Sequence, residues 1–165
     1  MTMIFKRIKI TEGQRKRANE RYEFNRLNNS MTGGGGNTTG ALGEILLIDK
    51  YGDKVEDVST FDYDLIIKGL RVEVKTKRQM VYPEPYHYMN IFNFNIEQQC
   101  DWYCFIVVDY EHRNGWIVGW KEKNAFFNES KFYKKGDVDD TYFDNPWTFS
   151  HDCHCIKVRD LTLDK

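Results

Sequence analysis

The dipeptide Lys68-Gly69, inside "FDYDLIIKGLRVEVK" at residues 61–75, constrains this chain more than any other feature. Apolar residues alternate on both sides of it, and a two-residue turn there fixes the register of a β-hairpin. Ile67 then faces Leu70, Leu65 faces Val72 and Tyr63 faces Val74, giving one apolar face that packs inward. The same register sets Asp64 opposite Glu73, and Asp62 opposite Lys75, on the other face. Directly opposed side chains have Cβ atoms about 4.5–5.5 Å apart, and like charges placed so are destabilising. A divalent cation between the two carboxylates relieves that repulsion, and hard cations such as Mg²⁺ take oxygen ligands. Lys75 points to the same face as Glu73, within reach of a metal-bound water or a phosphate. The plainer alternative is an exposed charged face on which Arg71 and Lys75 neutralise the acids.

The flanking sequence supplies a further acid, borne on a helix. Residues 11–29 read as a polar helix with a thin stripe at Ala18, Tyr22 and Arg26. Four glycines at 33–36 follow, a hinge or tight loop that lacks the Lys-Ser/Thr ending of a nucleotide-binding P-loop. Residues 37–52 read as a helix capped by Asn37, Thr38 or Thr39, with Leu42, Ile45, Leu46 and Ile48 on its apolar side. Glu44 lies within that apolar run, where a glutamate is seldom fully buried without a partner. A helix packed beside the hairpin brings Glu44 to Asp64 and Glu73. Strands are expected at 102–110 and 115–120, a helix over 121–136, and a last strand in "CHCIKVRDL". This order predicts an α/β fold, a single domain with a central mixed β-sheet flanked by helices. Within the span 1–165, residues 1–36 form a basic arm with its hinge, 37–120 the core, and 121–165 a C-terminal helix and strand.

Net charge is only −1, but its distribution is uneven. Residues 1–30 carry eight basic and three acidic side chains, whereas 137–152 carry five aspartates and no Lys or Arg. A basic arm of this kind favours a polyanionic partner; Arg15, Lys16 and Arg17, with Lys77 and Arg78 after the hairpin strand, are the candidate phosphate contacts. A solvated charged helix explains the same count. No apolar window approaches the ~18 residues that span a bilayer, and nothing resembles a signal peptide. Cys100, Cys104, Cys153 and Cys155 are therefore expected as thiols in a reducing cytoplasm.

Asp64, an eight-residue gap, then Glu73-Val74-Lys75, preceded by Glu44 in "GALGEILL", resembles the PD-(D/E)XK nuclease superfamily and its restriction-endonuclease-like fold. Tyr63 stands where the signature has proline. The resemblance covers about residues 38–120 and implies a restriction-endonuclease-like core. It implies that Asp64, Glu73 and the Val74 carbonyl bind the metal, that Glu44 is an accessory metal-site acid, and that Lys75 is the catalytic lysine. The activity implied is Mg²⁺-dependent hydrolysis of DNA phosphodiesters, with Mn²⁺ able to substitute and no organic cofactor. Stand-alone members of this size include phage-encoded nucleases and junction-resolving enzymes. Cutting both strands of a duplex needs two active sites, so a homodimer is expected. The rival readings are a catalytically inactive DNA-binding or assembly module of the same fold, a junction- or flap-specific nuclease, and an RNA-directed one.

Other features carry less. "HDCHC" at 151–155 with Cys100 and Cys104 invites a zinc site, but its spacing does not pair ligands as structural zinc sites do, and Cys153 and Cys155 alternate like strand residues. No activating base accompanies Cys100 or Cys104. Gln99 and Tyr103 match a spacing used by one branch of the nuclease family, with Tyr103 as core the default. "YPEPYHYMNIFNFN" at 82–95 reads as an irregular aromatic loop that stacks on bases, docks a protein or covers the sheet. His87 within it reads as structural.

Overall fold

A computed structural model describes residues 5–28, 38–60, 62–139 and 147–163. The glycine run 33–36, Asn37, Phe61, Asp140 and Asp144 lie outside the described residues. In chain order the first elements are β1 (Ile8–Lys9), α1 (Glu12–Asn28), α2 (Thr38–Tyr51), β2 (Val55–Asp57), β3 (Leu65–Ile67), β4 (Leu70–Arg78) and β5 (Tyr88–Phe92). They are followed by β6 (Trp102–Val108), β7 (Asn114–Glu122), α3 (Lys123–Glu129), β8 (Lys131–Tyr133), β9 (Val138–Asp139), β10 (Trp147–Thr148) and β11 (Cys153–Lys157).

Six strands form a mixed sheet in the order β1-β7-β6-β4-β3-β2, in which only β4 and β6 run parallel. The hairpin register is the one the Lys68-Gly69 turn predicts: Leu65 pairs with Val72, Ile66 with Arg71 and Ile67 with Leu70. Lys68 at φ +51° and Gly69 at +80° both occupy the left-handed region, as a type I′ turn requires. A smaller sheet, β5-β11-β8, lies on the other side of the large one.

The sheet is buried on both faces. On one, Leu42, Ile45 and Leu46 of α2 pack on Val72, Val74 and Ile106, with Ala18 and Tyr22 of α1 at the margin. On the other, Tyr103, Phe105 and Val107 of β6 meet Phe126 of α3, Met89 and Ile91 of β5 and Ile156 of β11. Burial on both faces explains why "WYCFIVV" is continuously apolar rather than alternating. Helix α1 opens with a reciprocal cap, Gln14 N donating to Thr11 Oγ1 and Thr11 N to Gln14 Oε1. No helix among the described residues is long and apolar enough to cross a membrane.

Several expectations are corrected. The first hairpin strand spans only 65–67 rather than 61–67, and Leu70 is 46% exposed rather than inward-facing. The aromatic stretch 82–95 is not an irregular loop throughout, since 88–92 pairs with β11. The helix expected over 121–136 ends at Glu129, because the alternating "KFY" enters the small sheet as β8. The four cysteines are buried, as strand alternation suggested for Cys153 and Cys155, with Cys104, Cys100 and the pair Cys153/Cys155 in three separate apolar clusters.

Helix α2 crosses β4 at its closest point at Gly43. A Cβ there would lie 1.8 Å from Thr76 Oγ1 and 3.0 Å from Thr76 Cβ, atoms too near the backbone to swing away. Gly43→Ala therefore has to push α2 off β4, at a cost of about 1–3 kcal/mol for overpacking. Because Glu44 and Lys75 are the chain neighbours of this contact, the substitution is also expected to disturb the site described next; urea unfolding measures the first effect.

Candidate functional site

Strand β3 stops pairing with β4 at Leu65, and the site is built where it departs. Asp64 still donates its backbone N–H to the Val72 carbonyl at 3.0 Å, so the chain remains beside β4 for one more residue. The Asp64 side chain then replaces the missing strand: its Oδ2 accepts the Val74 N–H at 2.9 Å. The carboxylate thus lies near the plane of the sheet, in the ladder position the next residue would have filled. In an extended strand one residue's N–H and C=O point to the same edge, so the Val74 carbonyl is directed to this opening as well.

Glu44 and Glu73 approach Asp64 from opposite faces. Glu44 comes from α2, is 7% exposed and lies within hydrogen-bonding reach of Asp64. Glu73, on the opposite face of β4, is 6% exposed. Burial, then the Asp64 charge, raises the pKa of each far above the usual carboxylate range. Two cations offset part of this cost. Arg21 of α1 sets Nε 3.3 Å from Glu44 Oε2 and Nη2 3.4 Å from Glu44 Oε1, and it also bonds Asp57 and the Ser59 hydroxyl. Lys75 Nζ donates to Glu73 Oε1 at 3.0 Å and to Gln98 Oε1 at 3.5 Å, while Gln98 Nε2 donates to Glu73 Oε1 at 3.3 Å. Lys123 holds the Gln98 backbone carbonyl.

Fully ionised, Glu44, Asp57, Asp64 and Glu73 against Arg21 and Lys75 leave two uncompensated negative charges, the deficit that one divalent cation cancels. One acceptor is conspicuous: Glu73 Oε2 is buried with no hydrogen-bond partner among the described residues. A buried, orphaned carboxylate oxygen is costly, and an oxygen-preferring cation is the type of ligand that satisfies it. The donors are all hard oxygens, so they fit Mg²⁺ or Mn²⁺. As they stand, no three His, Cys, Asp or Glu side chains among the described residues form a metal-binding group. The acids expected as joint ligands are brought together around Asp64 but are turned apart, Glu44 toward Arg21 and Glu73 toward Lys75.

Other expected residues are placed differently. Asp62 does not face Lys75; its Oδ1 accepts the Gln99 N–H, because β3 has already ended. Arg71 leaves the acids alone and pairs with Asp101 at 2.8 Å. Of the proposed phosphate contacts, Arg15 Nη1 is spent on the carbonyls of Ile10 and His112, and Arg17 pairs with Asp49 at 2.8 Å. Lys16 is exposed, Lys77 turns inward to the Tyr88 carbonyl at 3.1 Å, and exposed Arg78 stacks over Tyr110. The helical part of the basic arm is not a free surface for a polyanion, since α1 packs on α2 and sends Arg21 into the acids. Tyr103 is core, opposite Glu73 in the parallel ladder, and Gln98 rather than Gln99 reaches the site.

Sequence reasoning missed Arg21, Gln98, Asp57 and Ser59 as site residues. Arg21 had a signal: it lies three residues after Ala18 and one before Tyr22, on the stripe that packs against α2.

A carboxyl whose folded-state pKa exceeds its unfolded value binds more protons folded than unfolded. The fold therefore loses stability as pH rises from the ordinary carboxylate range through the raised values. In EDTA, thermal stability is expected to fall from pH 5 toward pH 8, and Glu73→Gln, which needs no proton to stay neutral, is expected to flatten part of that slope. A wild-type profile no steeper than that of the variant would contradict the raised value. Compared with known protein families and with curated proteins, the sequence matches none.

Proposed function

We propose that the chain is a metal-dependent nuclease with a restriction-endonuclease-like core, hydrolysing DNA phosphodiester bonds at the opening between β3 and β4. One observation carries the reading: Glu44 of α2 and Glu73 of β4 converge on Asp64, beside Lys75, with a buried Glu73 oxygen left without a partner among the described residues. Asp64, Glu73 and the Val74 carbonyl would hold the ion, with Glu44 as the accessory acid. A Mg²⁺ ion bound there supplies activation of water and charge neutralisation at the scissile phosphate.

The protein's own groups do the rest. Lys75 presents an ammonium group, its side chain 20% exposed, at the mouth of the acid cluster, where it orients the attacking water and stabilises charge on the phosphate. Gln98 and Glu73 hold that ammonium in place. Asp64 is held by the Val74 N–H, and the Arg21 guanidinium keeps Glu44 at the opening. Of the phosphate contacts expected from the sequence, Lys16 and Arg78 are exposed and open to a DNA backbone, and such contacts weaken steeply with salt. A homodimer would supply the second active site that cutting a duplex requires.

The test is a substrate panel, comprising supercoiled plasmid, single-stranded circle, four-way junction, flap and RNA hairpin, each incubated with Mg²⁺, Mn²⁺ or EDTA. Cleavage of a DNA member in metal and none in EDTA is the expected result. Cleavage of the RNA hairpin alone would move the substrate to RNA. Absence of cleavage together with no change in melting temperature on adding Mn²⁺ would overturn the reading, because a bound ion must stabilise the fold by mass action.

A further inference from the structure

Two residues beyond Lys75 on the same face of β4, about 7 Å along the strand, Lys77 enters a second cavity. The cavity, about 350 Å³, lies between the carboxyl end of β4, the outer side of β5 and the β9/β10 pair. Lys77, Tyr88, Asn90, Asp139, Trp147 and Phe149 are the lining residues that give it a chemistry. Its volume is that of a small-molecule pocket, and its position at the carboxyl ends of the parallel pair β4/β6 is a usual one for a ligand.

The polar groups are specific. Asn90 Oδ1 is buried and has no hydrogen-bond partner among the described residues. Asp139 is 4% exposed, and a carboxylate offers about four lone-pair sites as an acceptor. Lys77 has three donors, and its one hydrogen bond among the described residues goes to the Tyr88 carbonyl at 3.1 Å. Against this buried polar set, Trp147 is 58% exposed, a large ring at the mouth of the cavity. An aromatic face at the rim and polar groups inside suit a planar ring that carries its own donors and acceptors.

Two acceptors and one ammonium call for an edge with two donors and one acceptor. Among the common bases only guanine offers this on its pairing edge: N1–H and the N2 amino group beside O6. Thymine and uracil offer one donor between two acceptors; adenine and cytosine offer a single donor group. A base inside a duplex has that edge occupied, so only an unpaired one can enter.

We propose that this cavity receives an unpaired guanine of a nucleic-acid strand, stacked on Trp147, with Lys77 donating to O6 and Asn90 and Asp139 accepting from N1–H and N2. The strand as the source of the base rests on the nuclease reading; the base selectivity does not. Lys77 therefore reads a base, where the sequence suggested a contact to the backbone.

The test is titration of the full chain with dGMP, dAMP, dCMP and dTMP in EDTA, followed by Trp fluorescence and calorimetry. A twelve-nucleotide thymine oligomer with one central guanine, its all-thymine counterpart and a duplex with the guanine paired complete the set. The expected result is dGMP binding at least tenfold tighter than dTMP, and the guanine oligomer tighter than both controls. Trp147→Ala, at an exposed position, is expected to weaken dGMP binding tenfold or more, in line with the loss of a base stack. Lys77→Met is expected to remove the guanine preference. Equal affinity for all four mononucleotides would show phosphate-driven binding and overturn the proposal. So would no dGMP binding at millimolar concentration, or unchanged binding in Trp147→Ala. Binding of dGMP without preference for the guanine oligomer would overturn the strand assignment. Because no metal or cleavage is involved, failure of the nuclease reading leaves the mononucleotide result standing, and the converse holds.

Discussion

Replacing Lys75 with alanine is expected to reduce metal-dependent cleavage by about a hundredfold to a thousandfold, the range that loss of one preorganised charge-stabilising group usually costs. The side chain is well placed for such an effect. Its ammonium is bound to Glu73 Oε1 and Gln98 Oε1, so it loses little freedom when a phosphate or water arrives. The substitution leaves the packed face of β4 intact, because that face is carried by Val72 and Val74. Removing the ammonium leaves Gln98 as the hydrogen-bond partner of Glu73 among the described residues and pushes its carboxyl further toward the protonated form. The variant should therefore be folded, less stable in EDTA near pH 8 because buried Glu73 has lost its cation, and nearly inactive. Circular dichroism and urea unfolding check the fold, and single-turnover cleavage checks the chemistry. Activity within tenfold of wild type would remove Lys75 from the reaction and leave Glu73 with an ion-pair partner whose role is structural.

The parts of this architecture legible in the sequence are those set by local rules. The turn residues Lys68-Gly69 dictate a type I′ hairpin and hence the register, and the apolar run around Glu44 marks a carboxyl that must find a partner. What local rules do not carry is where a strand ends. Register arithmetic treats 61–67 as regular, so it pairs Asp62 with Lys75; the chain instead leaves at Asp64, whose side chain completes the ladder and whose neighbour Asp62 holds the Gln99 N–H. The site exists because the strand is shorter than its pattern. Partners from distant segments were hidden for a related reason. Gln98 and Arg21 reach the acids across 25 and 23 residues of chain; nothing in its immediate sequence distinguishes Gln98 from Gln99, and Arg21 is marked only by its place beside the Ala18/Tyr22 stripe. The basic count over residues 1–30 suggested a surface for phosphates, yet much of it is used internally: Arg15 on backbone carbonyls, Arg17 on Asp49, Arg21 on Glu44 and Asp57.

Arg21→Ala is expected to produce the largest loss of stability of any single substitution in the site, about 3–5 kcal/mol at neutral pH, the usual result of removing one partner from a buried ion pair. The Arg21 side chain is only 10% exposed and the Glu44 side chain 9%, so water cannot take over the lost interaction, whereas Asp57 at 46% can be resolvated. The cost is thus expected to come mainly from Glu44. That carboxyl, deprived of its cation and still beside Asp64, has its pKa driven higher than in the wild type, and it escapes the penalty by binding a proton. Its stability contribution then follows linkage: a group protonated when folded but ionised when unfolded costs more as pH rises, so the difference between Arg21→Ala and wild type should shrink toward pH 5 and grow toward pH 8. The double variant Arg21→Met with Glu44→Gln separates the charge from the packing, since it removes both ions while keeping their volume. Recovery of most of the lost stability, measured by urea unfolding at pH 5 and pH 8, would assign the effect to the unpaired carboxylate; a double variant as unstable as Arg21→Ala at both pH values would assign it to packing of α1 on α2.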